Sequence, residues 1–393
     1  MASVDESVGT WGTFVPIYQG LSPLDLVRRS VARKSMFPFD VPDRLPFYRC
    51  RNAIFHLFRA LVAANPRLTV LVPDYNSGNE VLAIRAAGAN IIYCPVGPDM
   101  QLDPDAVDRQ CRAHSPDLLY VIHYVGWPQP MPALVDLCRR HGMLMVEDCA
   151  LSLLSSLDDQ PLGSFGDWSV FCLYKTLPVP NGALLVQNSW KIQSLARIPL
   201  RDAGSASVLA RTAELLVHRI RGRSNGIGAA LQRVKRGMGV AAAALDVRRA
   251  NVGDIGFNLD DVDLAMSGVS ARLLDRLDFA DIKQRRIDNY RQLAGLLDGH
   301  AAPVFPVLPD GVCPLFFPIV VADKAAAASA LRARGVDALE FWNESMESGD
   351  EMGAAARYLR AHVLELPIHQ DLTPDHLAHV ARQVSALNLR MAA

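Results

Sequence analysis

Between residues 51 and 186 the chain alternates short apolar runs with helical stretches, and this constrains its fold more than any other feature. Apolar runs at 68–72, 91–93, 118–124, 143–146, 169–175 and 183–186 have the length and composition of strands. Stretches at 51–61, 80–87 and 131–141 have helical spacing, and turn signals such as Pro73-Asp74-Tyr75-Asn76-Ser77-Gly78 separate the two kinds of element. Such alternation predicts a mostly parallel sheet covered by helices on both faces. Ligands of such sheets bind beyond the carboxyl ends of the strands, where Tyr75, His123, Asp148 and Lys175 fall.

Lys175 and Asp148 define the chemistry. The lysine closes an apolar run and precedes the turn-rich Pro178-Val179-Pro180-Asn181-Gly182, and an ammonium among strands is costly unless paired or neutralised. The run 143–146 ends in Glu147-Asp148-Cys149-Ala150. Two readings follow: an ordinary ion pair at a sheet edge, or the pair that pyridoxal phosphate requires. In the second, the lysine holds the cofactor as a Schiff base and the carboxylate keeps the pyridine nitrogen protonated. Arg51-Asn52-Ala53 gives the first helix a polar start suited to a phosphate.

In these motifs the chain resembles the DegT–DnrJ–StrS type of fold-type I, pyridoxal-phosphate-dependent sugar aminotransferases. The likeness runs from about residue 48 to the C-terminus through Arg51-Asn52-Ala53, Pro73-Asp74-Tyr75, His123-Tyr124-Val125-Gly126, Glu147-Asp148-Cys149-Ala150, Gly163-Ser164-Phe165-Gly166-Asp167 and Lys175. It continues through Gly256-Phe257-Asn258, the 285–291 helix and Leu366-Pro367-Ile368-His369. The resemblance implies a seven-stranded-type, mostly parallel central sheet with a smaller C-terminal α+β domain. Segment 1–47 would precede a cofactor-binding domain, 48–260, with a basic helical insertion at about 190–250, and residues 261–393 would form the small domain. Lys175 and Asp148 would be catalytic. Arg51, Asn52, Ala53, Tyr75, Ser77, His123, Ala150 and Cys172 would line the cofactor, and Asn258 would reach the phosphate of a partner subunit in a homodimer. The implied reaction carries an amino group from a donor, glutamate, to a keto or aldehyde acceptor such as a keto-sugar nucleotide. Pyridoxamine 5'-phosphate would be the intermediate form of the cofactor.

The chain departs from the family pattern at four places. Leu151 stands where the family has Gln or His, Cys172 follows Phe171 in place of a serine, Asn181-Gly182-Ala183 replaces an acidic-Gly-Gly, and no arginine follows Asn258. Two alternatives therefore stand beside transamination: elimination, decarboxylation or condensation on the same cofactor, and a binding protein that kept the fold without the reaction.

With 393 residues the chain is long enough for two domains, and its formal charge of −1 argues against general attraction to nucleic acid. The acidic N-terminus carries no signal-like stretch, and seven scattered cysteines without CxxC pairs fit a reduced, cytoplasmic protein with no metal site. Residues 191–249 carry twelve basic side chains against Asp202, Glu214 and Asp246, and include predicted helices at 208–220 and 227–245. They read either as a solvated helical pair or as a docking face for an anionic substrate handle, a carrier protein or a membrane surface. Beyond 275, helices are expected at 277–297, 325–335 and 374–387 and strands at 304–308 and 315–321. Phe341-Trp342 reads as packing or as a substrate-facing pair, and His369 as structural.

Overall fold

The computed structural model describes residues 12–30, 36–223, 256–343 and 352–389. In chain order it runs β1 (Arg44–Phe47), α1 (Cys50–Ala64), β2 (Thr69–Pro73), α2 (Asn79–Ala86), β3 (Asn90–Cys94), α3 (Pro104–His114), β4 (Leu118–Ile122), α4 (Met131–His141) and β5 (Leu144–Asp148). A small hairpin, β6 (Ser156–Leu157) and β7 (Gln160–Pro161), leads to β8 (Trp168–Cys172), α5 (Leu173–Thr176), β9 (Ala183–Gln187) and α6 (Ser205–Arg223). The remainder is α7 (Gly268–Leu274), α8 (Phe279–Leu296), β10 (Ala302–Pro303), β11 (Phe317–Val320), α9 (Lys324–Ala333), α10 (Ala354–His362), β12 (Val363–Leu366) and α11 (Pro374–Leu387).

The main sheet has the order β1-β9-β8-β5-β4-β2-β3. Its β8-β5-β4-β2-β3 portion is parallel, and β9 and β1 are antiparallel additions at one edge. Every residue of β4, β8 and β9 is buried, as expected of strands covered on both faces. β1 pairs in register from Arg44↔Val186 to Phe47↔Ala183, so part of the 1–47 stretch belongs to this sheet. A second, three-stranded antiparallel sheet orders β10-β11-β12.

Several elements differ from the sequence expectation. The run ending at Lys175 is a strand only to Cys172; β8 pairs with β9 as far as Cys172↔Ala183, and the lysine lies in the single turn of α5. The expected 277–297 helix begins at Phe279, where Asp278 accepts from the N–H groups of Ala280 and Asp281 at 3.1 Å each, with the separate α7 preceding it. No strand forms at 304–308; the two-residue β10 precedes it. Helix α10 and strand β12 were not anticipated from the sequence. The 227–245 helix lies outside the described residues.

Within α6 the arginines meet partners of their own chain: Arg211 pairs with Glu214 at 2.8 Å, Arg219 with Asp371, and Arg221 lies 3.7 Å from the Phe14 ring centre. This part of the basic stretch is a helix packed on the N-terminal segment. Among the described residues no helix is long and apolar enough to cross a membrane.

Candidate active site

The parallel strands aim their carboxyl ends at one edge, where β5 delivers Asp148 and the turn after β8 delivers Lys175. Asp148 is buried. Its Oδ2 accepts from the Tyr120 hydroxyl at 2.6 Å and its Oδ1 from the Ala150 N–H at 2.8 Å. Burial pushes the carboxyl above the usual range, against the pull of those two hydrogen bonds and the charges of Lys175 and His123. A pyridinium cation beside it would pull the value down; within the chain itself desolvation dominates.

The Lys175 ammonium is half-buried, and among the described residues it has no hydrogen-bond or ion-pair partner. It lies 5.6 Å from the centre of the Phe341 ring. Phe341 stacks on Trp342, which meets the Tyr75 ring edge-on at 4.9 Å and that of Tyr124 at 5.6 Å. Trp342 holds φ at +52°, a conformation rare for a bulky side chain, and Arg360 fixes it by donating to its carbonyl at 2.8 Å and to that of Asn76 at 2.6 Å. The second reading of the aromatic pair therefore gains: it stands beside Lys175 and Tyr75.

Among the described residues no side chain caps helix α1, and the Asn52 N–H turns back to the Arg49 carbonyl at 3.1 Å. Arg51 donates to the Gly256 carbonyl and to Asn79 Oδ1, while Asn52 donates to the Asp261 carbonyl at 2.7 Å. The 256–261 stretch is thus stitched to the start of α1. Asn258 is exposed, and its side chain accepts from the Asp260 N–H at 3.0 Å. The Ser77 hydroxyl and N–H both meet the carboxylate of Glu80, a buried residue that sequence reasoning missed.

His123, Cys172 and Ala53 expose none of their surface. His123 donates through Nε2 to Glu147 at 3.0 Å and accepts at Nδ1 from the Gln129 N–H at 3.1 Å, so both ring nitrogens are committed within the protein. Glu147 also accepts from the N–H groups of Gly163, Phe165 and Gly166. The carboxylate therefore organises the 163–166 loop. Burial pushes the Cys172 thiol up, Lys175 only partly opposing it, so the sulfur is a neutral packing group. Tyr120 was also missed; the alternation along β4 was the available signal, since it sets residues 118, 120 and 122 on one face.

This donor set fits the implied cofactor. An amine without a polar partner, a buried carboxyl at the next strand end, a ring at Tyr75, a small residue at Ala150 and an uncapped helix start are the groups that pyridoxal phosphate requires.

The profile of the DegT/DnrJ/EryC1/StrS aminotransferase family matches residues 48–385. The chain belongs to this family. A dTDP-4-dehydro-2,3,6-trideoxy-D-glucose 4-aminotransferase of Saccharopolyspora spinosa is 30% identical over 148 residues, covering 36% of this chain and 38% of that protein. GDP-perosamine synthase of Vibrio cholerae is 27% identical over 137 residues, covering 34% and 37%. The matched stretches thus span little more than a third of these relatives. Among solved structures, Helicobacter pylori PseC, an aminotransferase involved in the biosynthesis of pseudoaminic acid, superposes with a TM-score of 0.68 at 14% identity, covering 96% of this chain and 99% of that one. The fold is that of the family's aminotransferases.

Proposed function

We propose that the protein is a pyridoxal-phosphate-dependent aminotransferase that carries an amino group from an amino acid, glutamate in the simplest case, to a keto or aldehyde carbon of a biosynthetic sugar or related ketone. The observation that carries this reading is the Lys175 amine, which lacks a polar partner among the described residues while the charge of Asp148 lies close enough to feel it. When bound, the cofactor supplies an electron sink for the carbon that loses its proton. Lys175 Nζ takes that proton and returns it, as general base and then acid. Asp148, steadied by Tyr120 and the Ala150 N–H, would keep a proton on the ring nitrogen. Arg51 and the start of α1 would hold the phosphate, and Phe341, Trp342 and Tyr75 would exclude water from the reacting atoms.

The nucleotide-sugar acceptor follows the names of the relatives and is part of this proposal, as are a cytoplasmic setting and a homodimer in which Asn258 completes the partner's phosphate site. The exposure of Asn258 supports the last of these. The test is spectral and chemical. The wild type binds the cofactor and turns yellow, the colour bleaches with glutamate, and one 2-oxoglutarate appears per site. Lys175→Ala abolishes the bleaching. A Lys175→Ala protein that still converts glutamate would overturn the assignment. The buried, apolar Leu151, where the family carries a polar side chain, favours a second reading of elimination or decarboxylation. Recovery of an aminated acceptor with stoichiometric 2-oxoglutarate excludes it.

A further inference from the structure

In a continuing helix the carbonyls of Tyr174, Lys175 and Thr176 would accept from the N–H groups of residues 178, 179 and 180. Pro178 and Pro180 have no N–H, and Val179 donates instead to the Leu177 carbonyl at 2.8 Å. The sequence around Lys175 therefore leaves three carbonyls without a local donor. Three side chains from distant segments supply the donors. Gln19 Nε2 donates to the Tyr174 carbonyl at 3.3 Å and the Lys175 carbonyl at 3.4 Å. Arg286 Nη2 and Gln370 Nε2 both donate to the Thr176 carbonyl at 3.2 Å, and the same Arg286 nitrogen donates to Gln19 Oε1 at 3.1 Å.

Arg286 is the unusual member. It is 1% exposed, and among the described residues no carboxylate lies within ion-pair distance of it. The charge of Asp371 reaches it, but that carboxylate already pairs with Arg219. Nη1 donates to the Pro314 carbonyl at 3.3 Å and the Leu315 carbonyl at 3.0 Å, and among the described residues Nε has no partner. Burial pushes the guanidinium down to about 10. A buried cation without a counter-charge is among the costliest groups a core can hold, and an apolar residue would pack there more favourably. What the cation does that an apolar side chain cannot is bind the carbonyl next to Lys175 while gripping the strand approach at 314–315.

We propose that Arg286 is the positioning residue of Lys175, with Gln19 and Gln370 completing the cradle. The aim of the lysine amine is then set by how the N-terminal segment, α8 and the loop after β12 seat against α5, not by the central sheet alone. The inference rests on the aminotransferase reading for its activity arm only.

The experiment compares holoenzymes carrying Arg286→Lys, Arg286→Met and Gln370→Met, the last being the variant least able to disturb folding. Three quantities are read: kcat per bound cofactor, donor KM, and amine-reactive labelling of Lys175 in cofactor-stripped protein, scored by peptide mass spectrometry against the exposed Lys191. Misplacing a reacting group by about 1 Å costs up to roughly 100-fold. Arg286→Met is expected to lose kcat by about that factor with KM unchanged, and to change the labelling of Lys175 but not of Lys191. Methylguanidinium restores both, and Gln370→Met shows the same pattern more weakly. Adding Gln370→Met to Arg286→Met costs less than the two losses combined, because both donors act on the same carbonyl. A fall in Tm with wild-type kcat per cofactor and wild-type labelling would show the cradle to be structural only and overturn the inference. If the wild type itself converts no donor, the aminotransferase reading fails, and the labelling arm still decides the positioning.

Discussion

Tyr120→Phe isolates one contact of the candidate site and lets its size be worked out in advance. The hydroxyl donates to Asp148 Oδ2 at 2.6 Å, both groups are buried, and the change leaves the ring in place. A hydrogen bond to a charged group is worth about 1.5–3 kcal/mol, and it holds the Asp148 carboxyl down. Burial already holds that carboxyl above its ordinary value, and the tyrosine pulls it back. The folded chain therefore keeps the Asp148 proton more tightly than the unfolded chain, and stability falls as pH rises between the unfolded and folded values. Removing the hydroxyl lifts the folded value further and extends that window upward. Urea denaturation of the cofactor-stripped variant should match the wild type closely near about pH 4. It should fall short by about 1.5–3 kcal/mol once Asp148 is ionised in both. A difference that stays constant across the pH range would refute the claim that Tyr120 acts on the ionised carboxylate.

His369 gives a pH dependence of opposite sign. Burial holds its imidazole down to about 4, with Nε2 donating to the Pro16 carbonyl at 3.0 Å. The unfolded chain binds the proton first, so about 3 kcal/mol of stability is lost as pH falls from about 6.5 to about 4. His369→Gln should flatten that part of the pH–stability curve measured by denaturant titration. Gly126→Ala should cost about 2 kcal/mol or more in the same assay, because φ is +117° and an added Cβ would sit 2.5 Å from the Cys313 carbonyl oxygen. A wild-type midpoint for that variant would show that the 125–126 turn can relax.

Much of the fold and part of the site are local properties of the chain. Runs such as 118–122 and 143–146 are apolar along their length and are followed by polar residues, which is enough to specify buried parallel strands and to place Asp148 at a carboxyl end. Helices α4 and α11 were legible to the residue, because proline near the first turn and Gly142 or Asn388 at the end punctuate them. The course of the chain at Lys175 was not legible in this way. Residues 169–175 read as one strand, and only the end of the β8–β9 pairing at Cys172↔Ala183 releases the backbone into the turn that carries the lysine. Phe341 beside Lys175, Tyr120 beneath Asp148 and Arg286 against Thr176 were likewise decided by tertiary structure. The sequence alone determined the buried parallel strands of the main sheet and that the acid and the amine follow two of them, because burial on two faces imposes a pattern within each segment. Which distant side chains satisfy the carbonyls and carboxylates at those ends depends on contacts between residues far apart in the chain, and such contacts leave no periodicity to read.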